Sequence, residues 1–448
     1  MSLYELLMRL LVLGIRLAAF FNPKARLWVE GRRNWRENYR TTTNEQRTTS
    51  NEQRATNNKQ QTTSNKQQTL WLHAASLGEF EQGRPVIEAF REQFPDWKIV
   101  LTFFSPSGYE IRKDYPHADF VCYLPADTRR NARDFLDLIK PDVAIFVKYE
   151  FWANYLFELK KRDIPTLLVS ALFRETQPFF QWYGGFWRKM LGCFTHFFVQ
   201  NQHSAKLLQR IGFQNVTVAG DTRVDRVLKI AERVKENEIV AAFTGENLGT
   251  FQKSSNFVFI AGSSWEADEA VFLPVFQKPE FQNFKLIIAP HEPALVGRTF
   301  QSASIILADW KVRPTLYSEA SPDNVPDARV LLIDNVGLLN TLYRYGKIAY
   351  IGGGFGKGIH NTLEPAAFGL PVIFGPKFEK FEEARQFVAR GGAFPVRSSE
   401  ELAAVLKKLE APDFYEKASR AVRGYLEENK GATERILSFL KQIKGKNL

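Results

Sequence analysis

The stretch that decides the fold is IAYIGGGFGKGIHNTLEPAAFGLPVIFGP, at residues 348–376. An apolar, β-rich run is followed by five glycines in seven positions, a helical stretch and a second apolar run. This order is typical of a strand, a turn, a helix and a second, parallel strand. The stretch therefore predicts an α/β protein built on parallel sheets.

The same alternation continues through the chain from residue 69 onward. The first half contains predicted strands at residues 70–75, 99–104, 120–124, 143–147, 166–171 and 197–200. The second half contains predicted strands at residues 257–262, 286–289, 330–333, 348–351 and 372–374. Residues 222–255 carry no comparable run, so we expect the linker between two Rossmann-like domains there, with the domains at 70–225 and 226–448. Ligands of such sheets lie outside the carboxyl ends of the strands, which predicts an active site in a cleft between two facing sheets.

The composition is that of a globular protein. Of 448 residues, 44% are hydrophobic and 24% charged, which suits two or three domains and excludes a wholly disordered or fibrous chain. Two cysteines, Cys122 and Cys193, are too few for a disulfide framework or a four-thiolate zinc site and favour a reducing compartment. Three histidines, His73, His291 and His360, are too scattered to resemble HExxH, so no metal site is predicted.

The net charge of +11 is concentrated near the N-terminus, because the first 69 residues carry seven of the excess positive charges. Nucleic-acid-binding proteins more often spread basic residues over the folded body, so no nucleic-acid partner is expected.

Residues 1–21 are apolar but contain Glu5, Arg9 and Arg16, which makes a membrane-spanning helix marginal. On a helix these three charges gather on one side. Residues 1–40 are therefore predicted to lie on the membrane surface, with a buried first helix as the alternative.

Residues 44–69 contain a seven-residue repeat: NEQRTTS, NEQRATN, NKQQTTS and NKQQT. The period matches a coiled-coil heptad, but the repeat has no apolar positions that could form a seam. Polar, low-complexity sequence buries too little area to offset the entropy lost on ordering. Residues 41–69 are therefore predicted to be a polar tether.

The loop HAASLGE, at residues 73–79, directly follows the first predicted strand. Gly78 allows the backbone to turn, and Glu79 then stands at the start of a helix. A carboxylate in this place can act as a general base if it reaches a substrate hydroxyl. It can equally cap the helix, because acidic residues are favoured in a first turn. The spacing alone leaves both interpretations open.

The glycine-rich loop at residues 352–358 predicts a phosphate site. Its backbone N–H groups are little shielded by side chains, and a helix expected to begin near Asn361 adds its positive end. Glu364, one turn further, would hold ribose hydroxyls. No GK[ST] follows as in a Walker loop, and the pattern also differs from a nicotinamide-binding GxGxxG. A turn without ligand is the alternative.

Shorter polar motifs follow other predicted strands. They are KYEFW at 148–152, GDTRVD at 220–225, AGSS at 261–264 and PHEP at 290–293. Each alone is more often a turn than a site, but their shared position at strand ends favours a function. A GxSxG motif is absent from the sequence, which counts against a hydrolase of that type.

In combination, HAASLGE, EFWAN at 150–154, GDTRVD, AGSS and the segment 352–376 closely resemble the bacterial 3-deoxy-D-manno-octulosonic acid (Kdo) transferases of lipopolysaccharide synthesis. The resemblance runs from the N-terminal helix to the last helix, apart from the repeat. It implies the GT-B fold, with the donor CMP-Kdo held mainly by the second domain and a lipid A precursor by the first. It also implies inverting transfer without a metal or another cofactor, at the cytoplasmic face of the cell inner membrane.

The resemblance also implies residue roles. Glu79 matches the general base that takes the proton of the acceptor hydroxyl. Glu150 and Arg223 match polar residues lining the cleft, where Arg223 would offset charge on the CMP leaving group. The positions that match donor-binding segments are Pro290, His291, Val336, Gly337, Leu338, Asn361, Thr362, Leu363 and Glu364. The chain departs from the family in two places, because His291 replaces a common Arg and Lys148 replaces a common acidic residue.

Two alternatives come from different classes. Another GT-B nucleotide-sugar enzyme, such as a lipid A disaccharide synthase, would share the glycine-rich loop but not HAASLGE together with HNTLEPAA. A non-catalytic, membrane-tethered nucleotide-binding module would be favoured by the loss of Glu79, which is present.

Overall fold

The computed structural model describes residues 3–37, 39, 67–245, 257–292, 296–306 and 314–446. These residues form two compact units. Unit 1 contains the described residues of 1–225 and 429–448, and unit 2 contains those of 226–428. Most of the predicted tether, residues 41–69, lies outside the described residues.

Unit 1 is built on a seven-stranded parallel sheet with helices around it. Its strands are β1 Thr69–Ala74, β2 Lys98–Phe103, β3 Phe120–Tyr123, β4 Val143–Val147, β5 Thr166–Ala171, β6 His196–Val199 and β7 Val216–Val218. Its helices are α1 Leu3–Ala18, α2 Pro23–Glu30, α3 Leu77–Gln93, α4 Pro106–Arg112, α5 Arg129–Ile139, α6 Ala153–Lys161, α7 Gly185–Leu191, α8 Gln202–Arg210, the start of α9 Thr222–Glu232, and α18 Ala432–Lys446. The strand order is β3-β2-β1-β4-β5-β6-β7.

Unit 2 contains a second seven-stranded parallel sheet. Its strands are β8 Phe257–Ser264, β9 Phe284–Pro290, β10 Thr315–Leu316, β11 Val330–Leu332, β12 Ile348–Ile351, β13 Val372–Phe374 and β14 Ala393–Pro395, in the order β10-β11-β9-β8-β12-β13-β14. Its helices after α9 are α10 Glu238–Thr244, α11 Glu266–Phe272, α12 Val296–Ile306, α13 Leu339–Leu342, α14 Leu363–Ala367, α15 Glu382–Arg390, α16 Ser399–Leu409 and α17 Pro412–Asn429. The predicted fold class, with two doubly wound α/β domains, is confirmed.

Both faces of each sheet are covered, which explains the uninterrupted apolar runs of the central strands. In β1, Trp71 points into one core of unit 1 while Leu70 and Leu72 point into the other. The second of these cores also receives Ile436 and Leu440 from α18. The last twenty residues therefore belong to unit 1, and the domain predicted at 226–448 ends earlier in the structure.

The first boundary between the units is the predicted one, between residues 225 and 226. It falls after Asp225, inside α9. The Asp225 carboxylate accepts hydrogen bonds from the backbone N–H groups of Gly431 and Thr433, at 2.6 and 2.7 Å. A Cβ at Gly220, whose φ is +95°, would lie 2.5 Å from the carbonyl oxygen of Asn429. The chain thus returns to unit 1 through polar and backbone contacts, which the pattern of apolar residues does not predict.

The first helix is packed on unit 1 through one side only. Glu5 and Met8 are buried, whereas Leu10, Leu17 and Phe21 are 53%, 58% and 92% exposed. Among the described residues, no helix is both long and apolar enough to cross a membrane. The apolar side of α1 is exposed, so the alternative of a buried first helix is wrong for that side. Membrane association stays a prediction.

The inward side of α1 binds the starts of two other helices. Glu5 accepts a hydrogen bond from the backbone N–H of Arg129, the first residue of α5, at 3.3 Å. Asp127 accepts from the backbone N–H groups of Asn154 and Tyr155, at the start of α6, both at 3.2 Å. The Tyr4 hydroxyl also donates to Asp127. These carboxylates satisfy N–H groups that have no partner within their own helices.

We expect Asp127 to make stability depend on pH. Burial, opposed by the hydrogen bonds of Tyr4 and the backbone, raises the pKa of Asp127 from 3.8 to about 6. Between these values the unfolded chain has lost a proton that the folded chain keeps, so the free energy of unfolding falls as pH rises. The fall amounts to roughly 3 kcal/mol.

Asp127→Asn does not titrate and should lack this fall. Urea unfolding of both proteins at pH 4 and pH 7 measures the difference in stability between them. A difference that stays the same at both pH values would contradict the raised pKa.

Candidate active site

The candidate residues of unit 1 lie around the point where its strand order reverses. This point is between β1 and β4, because the chain proceeds outward from β1 to β3 on one side and from β4 to β7 on the other. Open α/β sheets bind ligands outside the carboxyl ends of the strands at such a point. HAASLGE follows β1 and KYEFW follows β4, so both motifs border it.

His73, Glu150 and Trp152 meet across this point. The Glu150 Oε2 atom lies 2.9 Å from His73 Nε2 and accepts a hydrogen bond from Trp152 Nε1 at 2.6 Å. On its other side, His73 Nδ1 lies 2.9 Å from the hydroxyl oxygen of Thr102. Glu150 is only 7% exposed, so its carboxylate holds His73 and Trp152 in place. The Glu150 carboxylate is thus largely enclosed, and its place in the lining of a cleft stays a prediction.

Glu79 lies in the first turn of α3 and is half-buried. Its carboxylate accepts a hydrogen bond from the hydroxyl of Ser76, the residue that precedes the helix. Among the described residues, no backbone N–H of α3 donates to the side chain of Glu79 or Ser76. The helix-capping alternative depends on the charge of Glu79 in the first turn and not on such a hydrogen bond, so it stays open. The geometry leaves the carboxylate available at the edge of the sheet.

Arg223 is fixed by its neighbour Asp221. Its Nη2 donates to Asp221 Oδ2 at 2.6 Å, and its Nε lies 3.1 Å from both carboxylate oxygens. Burial alone would raise the pKa of Asp221, but the Arg223 guanidinium outweighs it and, with Lys148, holds that pKa below its usual value. Thr222 donates to the backbone carbonyl of Gln82 in α3. The start of α9 is thereby attached to the helix that carries Glu79.

The second candidate region lies where the strand order of unit 2 reverses, between β8 and β12. AGSS ends β8, and the glycine-rich loop follows β12. A Cβ at Gly352 would lie 2.1 Å from the carbonyl oxygen of Ser263, and one at Gly354 would lie 2.6 Å from Gly375 Cα. These glycines are needed for close approach between backbone segments.

Part of the glycine-rich loop is already hydrogen-bonded within the protein. The N–H groups of Gly356 and Gly358 donate to the carbonyl of Gly353, at 2.9 and 3.2 Å. The N–H of Gly353 donates to the carboxylate of Asp268 at 2.8 Å. These three groups are not free for a phosphate, contrary to the expectation of bare N–H groups, and α14 after the loop has only five residues.

Asp268 is a residue that the sequence analysis missed. Its carboxylate is fully buried and accepts hydrogen bonds from Gly353, from the backbone N–H of Trp265 at 3.0 Å, and from the Tyr350 hydroxyl at 3.1 Å. Burial raises the pKa of Asp268. The carboxylate therefore joins the end of β12, the start of α11 and the glycine-rich loop. The signal in the sequence is an acidic residue three positions after Trp265, as in a capping box.

Asn361 and Glu364 form a connected pair beside this loop. Asn361 Nδ2 donates to Glu364 Oε1 at 3.0 Å, and Asn361 Oδ1 accepts from the backbone N–H of Leu363 at 3.0 Å. Both side chains are half-buried, whereas Thr362 and Leu363 are fully buried. The Thr362 hydroxyl is without a hydrogen-bond partner among the described residues. Of the four predicted positions, Asn361 and Glu364 therefore have partly exposed polar side chains.

His291 lies in a stack of three rings. Its ring centroid is 4.7 Å from that of Trp265 and 4.3 Å from that of His360. Burial, together with the neighbouring His291, lowers the pKa of His360 to about 4. His360 is therefore neutral at physiological pH. Pro290 ends β9 and places His291 beside the end of β8, where the N–H of His291 donates to the Ser264 carbonyl at 3.0 Å.

The positions Val336, Gly337 and Leu338 lie in an open loop. Val336 is 84% exposed, and Gly337 has a φ of +93°. β11 ends at Leu332, one residue before the predicted end of this strand at residue 333. Within the described residues, no group of three or more His, Cys, Asp or Glu side chains could hold a metal ion.

Comparison with known proteins finds similarity to transferases of one kind. Residues 35–226 match the family model described as 3-Deoxy-D-manno-octulosonic-acid transferase (kdotransferase). A 3-deoxy-D-manno-octulosonic acid transferase of Aquifex aeolicus is 28% identical over 369 residues, which cover 80% of this chain and 92% of that protein. The resemblance to Kdo transferases that the motifs indicated is confirmed. The protein of the same name in Haemophilus influenzae is 26% identical over 393 residues, covering 85% of this chain and 88% of that protein.

A solved structure supports the fold of this chain. UDP-GlcNAc 2-epimerase from Neisseria meningitidis, bound to UDP-GlcNAc, is 18% identical, with a TM-score of 0.57 over 84% of this chain and 100% of that chain. At this identity the likeness concerns the fold alone. The GT-B fold class predicted from the sequence is confirmed, and the similarity to Kdo transferases supports a glycosyltransferase.

Proposed function

We propose that this protein transfers Kdo from CMP-Kdo to a hydroxyl of a lipid A precursor, lipid IVA, in lipopolysaccharide synthesis. The observation that carries the proposal is the position of Glu79. A half-buried carboxylate lies in the first turn of the helix after β1, beside the reversal of strand order, and its hydrogen bond in the protein comes from a hydroxyl. A substrate hydroxyl can replace that of Ser76 and donate its proton to the same oxygen.

The reaction forms one bond and breaks another. The acceptor hydroxyl oxygen attacks the anomeric carbon of Kdo while Glu79 takes the hydroxyl proton. The bond between the anomeric carbon and the phosphate oxygen breaks, and CMP leaves with the electron pair. Attack from the face opposite to CMP inverts the anomeric configuration. Arg223, held in place by Asp221, supplies positive charge toward the leaving phosphate.

The donor is assigned to unit 2. Asn361 and Glu364 present an amide and a carboxylate beside the glycine-rich loop, and these groups suit the hydroxyls of a ribose. The ring stack of Trp265, His291 and His360 lies at the ends of β8 and β9 on the same edge of the sheet. Pro290, Val336, Gly337 and Leu338 complete the proposed donor positions. No metal or other cofactor takes part in the proposed transfer.

Binding of nucleotides tests the donor assignment. Calorimetry with CMP and, separately, with UDP should detect binding of CMP and none of UDP at the same concentration. Binding of UDP alone would favour the alternative of a different nucleotide-sugar enzyme. Binding of neither nucleotide would count against a donor site in this chain.

We further propose that α1 attaches the protein to the cytoplasmic face of the inner membrane. Its outward leucines and Phe21 form an apolar face that no described residue covers. A second exposed aromatic set, Trp182, Tyr183 and Phe186, lies near the start of α1, since the Phe186 ring lies 5.7 Å from that of Tyr4. Tryptophan and tyrosine favour the interface between lipid and water.

Replacing exposed leucines tests the attachment. Leu7→Gln, Leu10→Gln and Leu17→Gln combined should lower partitioning onto membranes more than about 100-fold, because each buried leucine contributes roughly 1.5 to 3 kcal/mol. Flotation with vesicles measures this, and activity on detergent-dispersed acceptor should persist. Ile111→Gln removes an equally exposed apolar side chain from α4 and serves as the control. Retention of the triple variant on vesicles would contradict the attachment.

A further inference from the structure

A large groove lies between the first helix and the basic segment that follows α2. Its volume is about 860 Å³. It is lined by Val12 and Leu13 of α1, by Trp28 of α2, and by the start of α5. The groove belongs entirely to unit 1, and none of the candidate active-site residues lines it. Its apolar side continues the exposed face of α1.

The charged lining of this groove is almost entirely basic. Five arginines line it: Arg9, Arg16, Arg32, Arg33 and Arg36. Glu37 is the acidic residue among the lining residues. Arg9 pairs with Glu5 at 3.5 Å and Arg36 pairs with Asp134 at 2.6 Å. Arg16, Arg32 and Arg33 form no ion pair with any described residue, so the groove carries uncompensated positive charge.

Arg32 is held in the wall of the groove by three backbone carbonyls. Its Nε, Nη1 and Nη2 atoms donate to Leu124, Trp28 and Phe104, at 2.8, 3.1 and 2.8 Å. Its guanidinium carbon lies 3.8 Å from the centroid of the Trp28 ring. Burial lowers the pKa of Arg32 to about 9. A fixed, partly desolvated cation without an acidic partner is stabilised by an added anion.

We propose that this groove binds the phosphate of an anionic membrane phospholipid. The arginines receive the phosphate, since guanidinium groups match its oxygens with paired N–H donors. The acyl chains then run beside Leu13 and the other exposed leucines of α1. The charge and the adjacent apolar face together select a lipid over a free anion. This inference goes beyond the proposed transfer reaction and needs no activity for its test.

Calorimetry with the full chain tests the site. The probe is dihexanoylphosphatidylglycerol below its micelle concentration, and inorganic phosphate is titrated in parallel. Arg16→Gln combined with Arg33→Gln removes two exposed, unpaired charges from the groove. Lys24→Gln combined with Arg26→Gln removes two exposed charges from α2 outside the groove. Circular dichroism verifies that both variants remain folded.

The first variant should bind the lipid about tenfold more weakly, and the second should bind within about twofold of the wild type. Equal weakening in both variants would show diffuse attraction to a basic surface and overturn the site. Unchanged binding in the first variant, or no binding by the wild type, would also overturn it. Inorganic phosphate that binds as tightly as the lipid would assign the groove to a free anion instead.

Discussion

Glu79→Gln is expected to lower the rate of transfer by about 10² to 10⁴, the usual contribution of a general base. The amide keeps the shape of the side chain and can accept the hydrogen bond from Ser76, but it cannot take a proton. Donor binding should be unchanged, because the donor is assigned to unit 2. The measurement is the rate of Kdo transfer together with the affinity for CMP.

Glu92→Gln is the matched control for this variant. Glu92 lies in the last turn of the same helix and is exposed, so its loss changes the net charge of α3 equally and should leave the rate unaffected. More than about a tenth of wild-type turnover in Glu79→Gln would assign Glu79 to a structural role.

Glu364→Ala is expected to weaken the binding of CMP by about 10- to 100-fold, since a hydrogen bond to a charged group contributes roughly 1.5 to 3 kcal/mol. Asn361→Ala should act in the same direction, because Asn361 holds the Glu364 carboxylate at 3.0 Å. Binding of the lipid acceptor should change little in either variant. Calorimetry with CMP alone measures the effect.

Glu410→Gln provides the control for the donor site. Glu410 is exposed at the end of α16, in the same unit, so it reports any general effect of lost charge. Unchanged affinity for CMP in both the Glu364 and Asn361 variants would place the nucleotide elsewhere.

The central strands could be predicted closely from the sequence. The strands β4, β5, β12 and β13 have the predicted bounds, because parallel strands buried on both faces read as uninterrupted apolar runs. The strands β7, β10 and β14 were missed. They have two or three residues and lie at the sheet edges, where fewer apolar side chains are required.

Long-range polar contacts could not be predicted. The pairing of Asp225 with Gly431 and Thr433, which returns the last helix to unit 1, joins residues 206 and 208 positions apart. Asp268 reaches Gly353 across 85 positions. Periodicity reports which side of an element is buried, but it does not report which distant N–H group a carboxylate will meet.

The sequence motifs predicted where the candidate site residues lie in the fold, and the structure adds how buried each side chain is. Glu79, Asn361 and Glu364 lie in the segments that follow strand ends, as expected, and they keep half-buried polar side chains. Glu150 also follows its predicted strand, but the hydrogen bonds from His73 and Trp152 enclose it. The sequence shows that a polar residue follows a strand. Whether a ligand can reach its side chain depends on residues from other parts of the fold that pack around it.

The most direct test of the proposed function is the mass of the lipid product. The purified chain is incubated with CMP-Kdo and a tetraacylated lipid A precursor, and the lipid is analysed by mass spectrometry. The account predicts that the mass rises by a whole number of Kdo units, with release of CMP, and that Glu79→Gln prevents the rise. A lipid of unchanged mass beside intact CMP-Kdo, with the wild-type chain folded, would contradict the account.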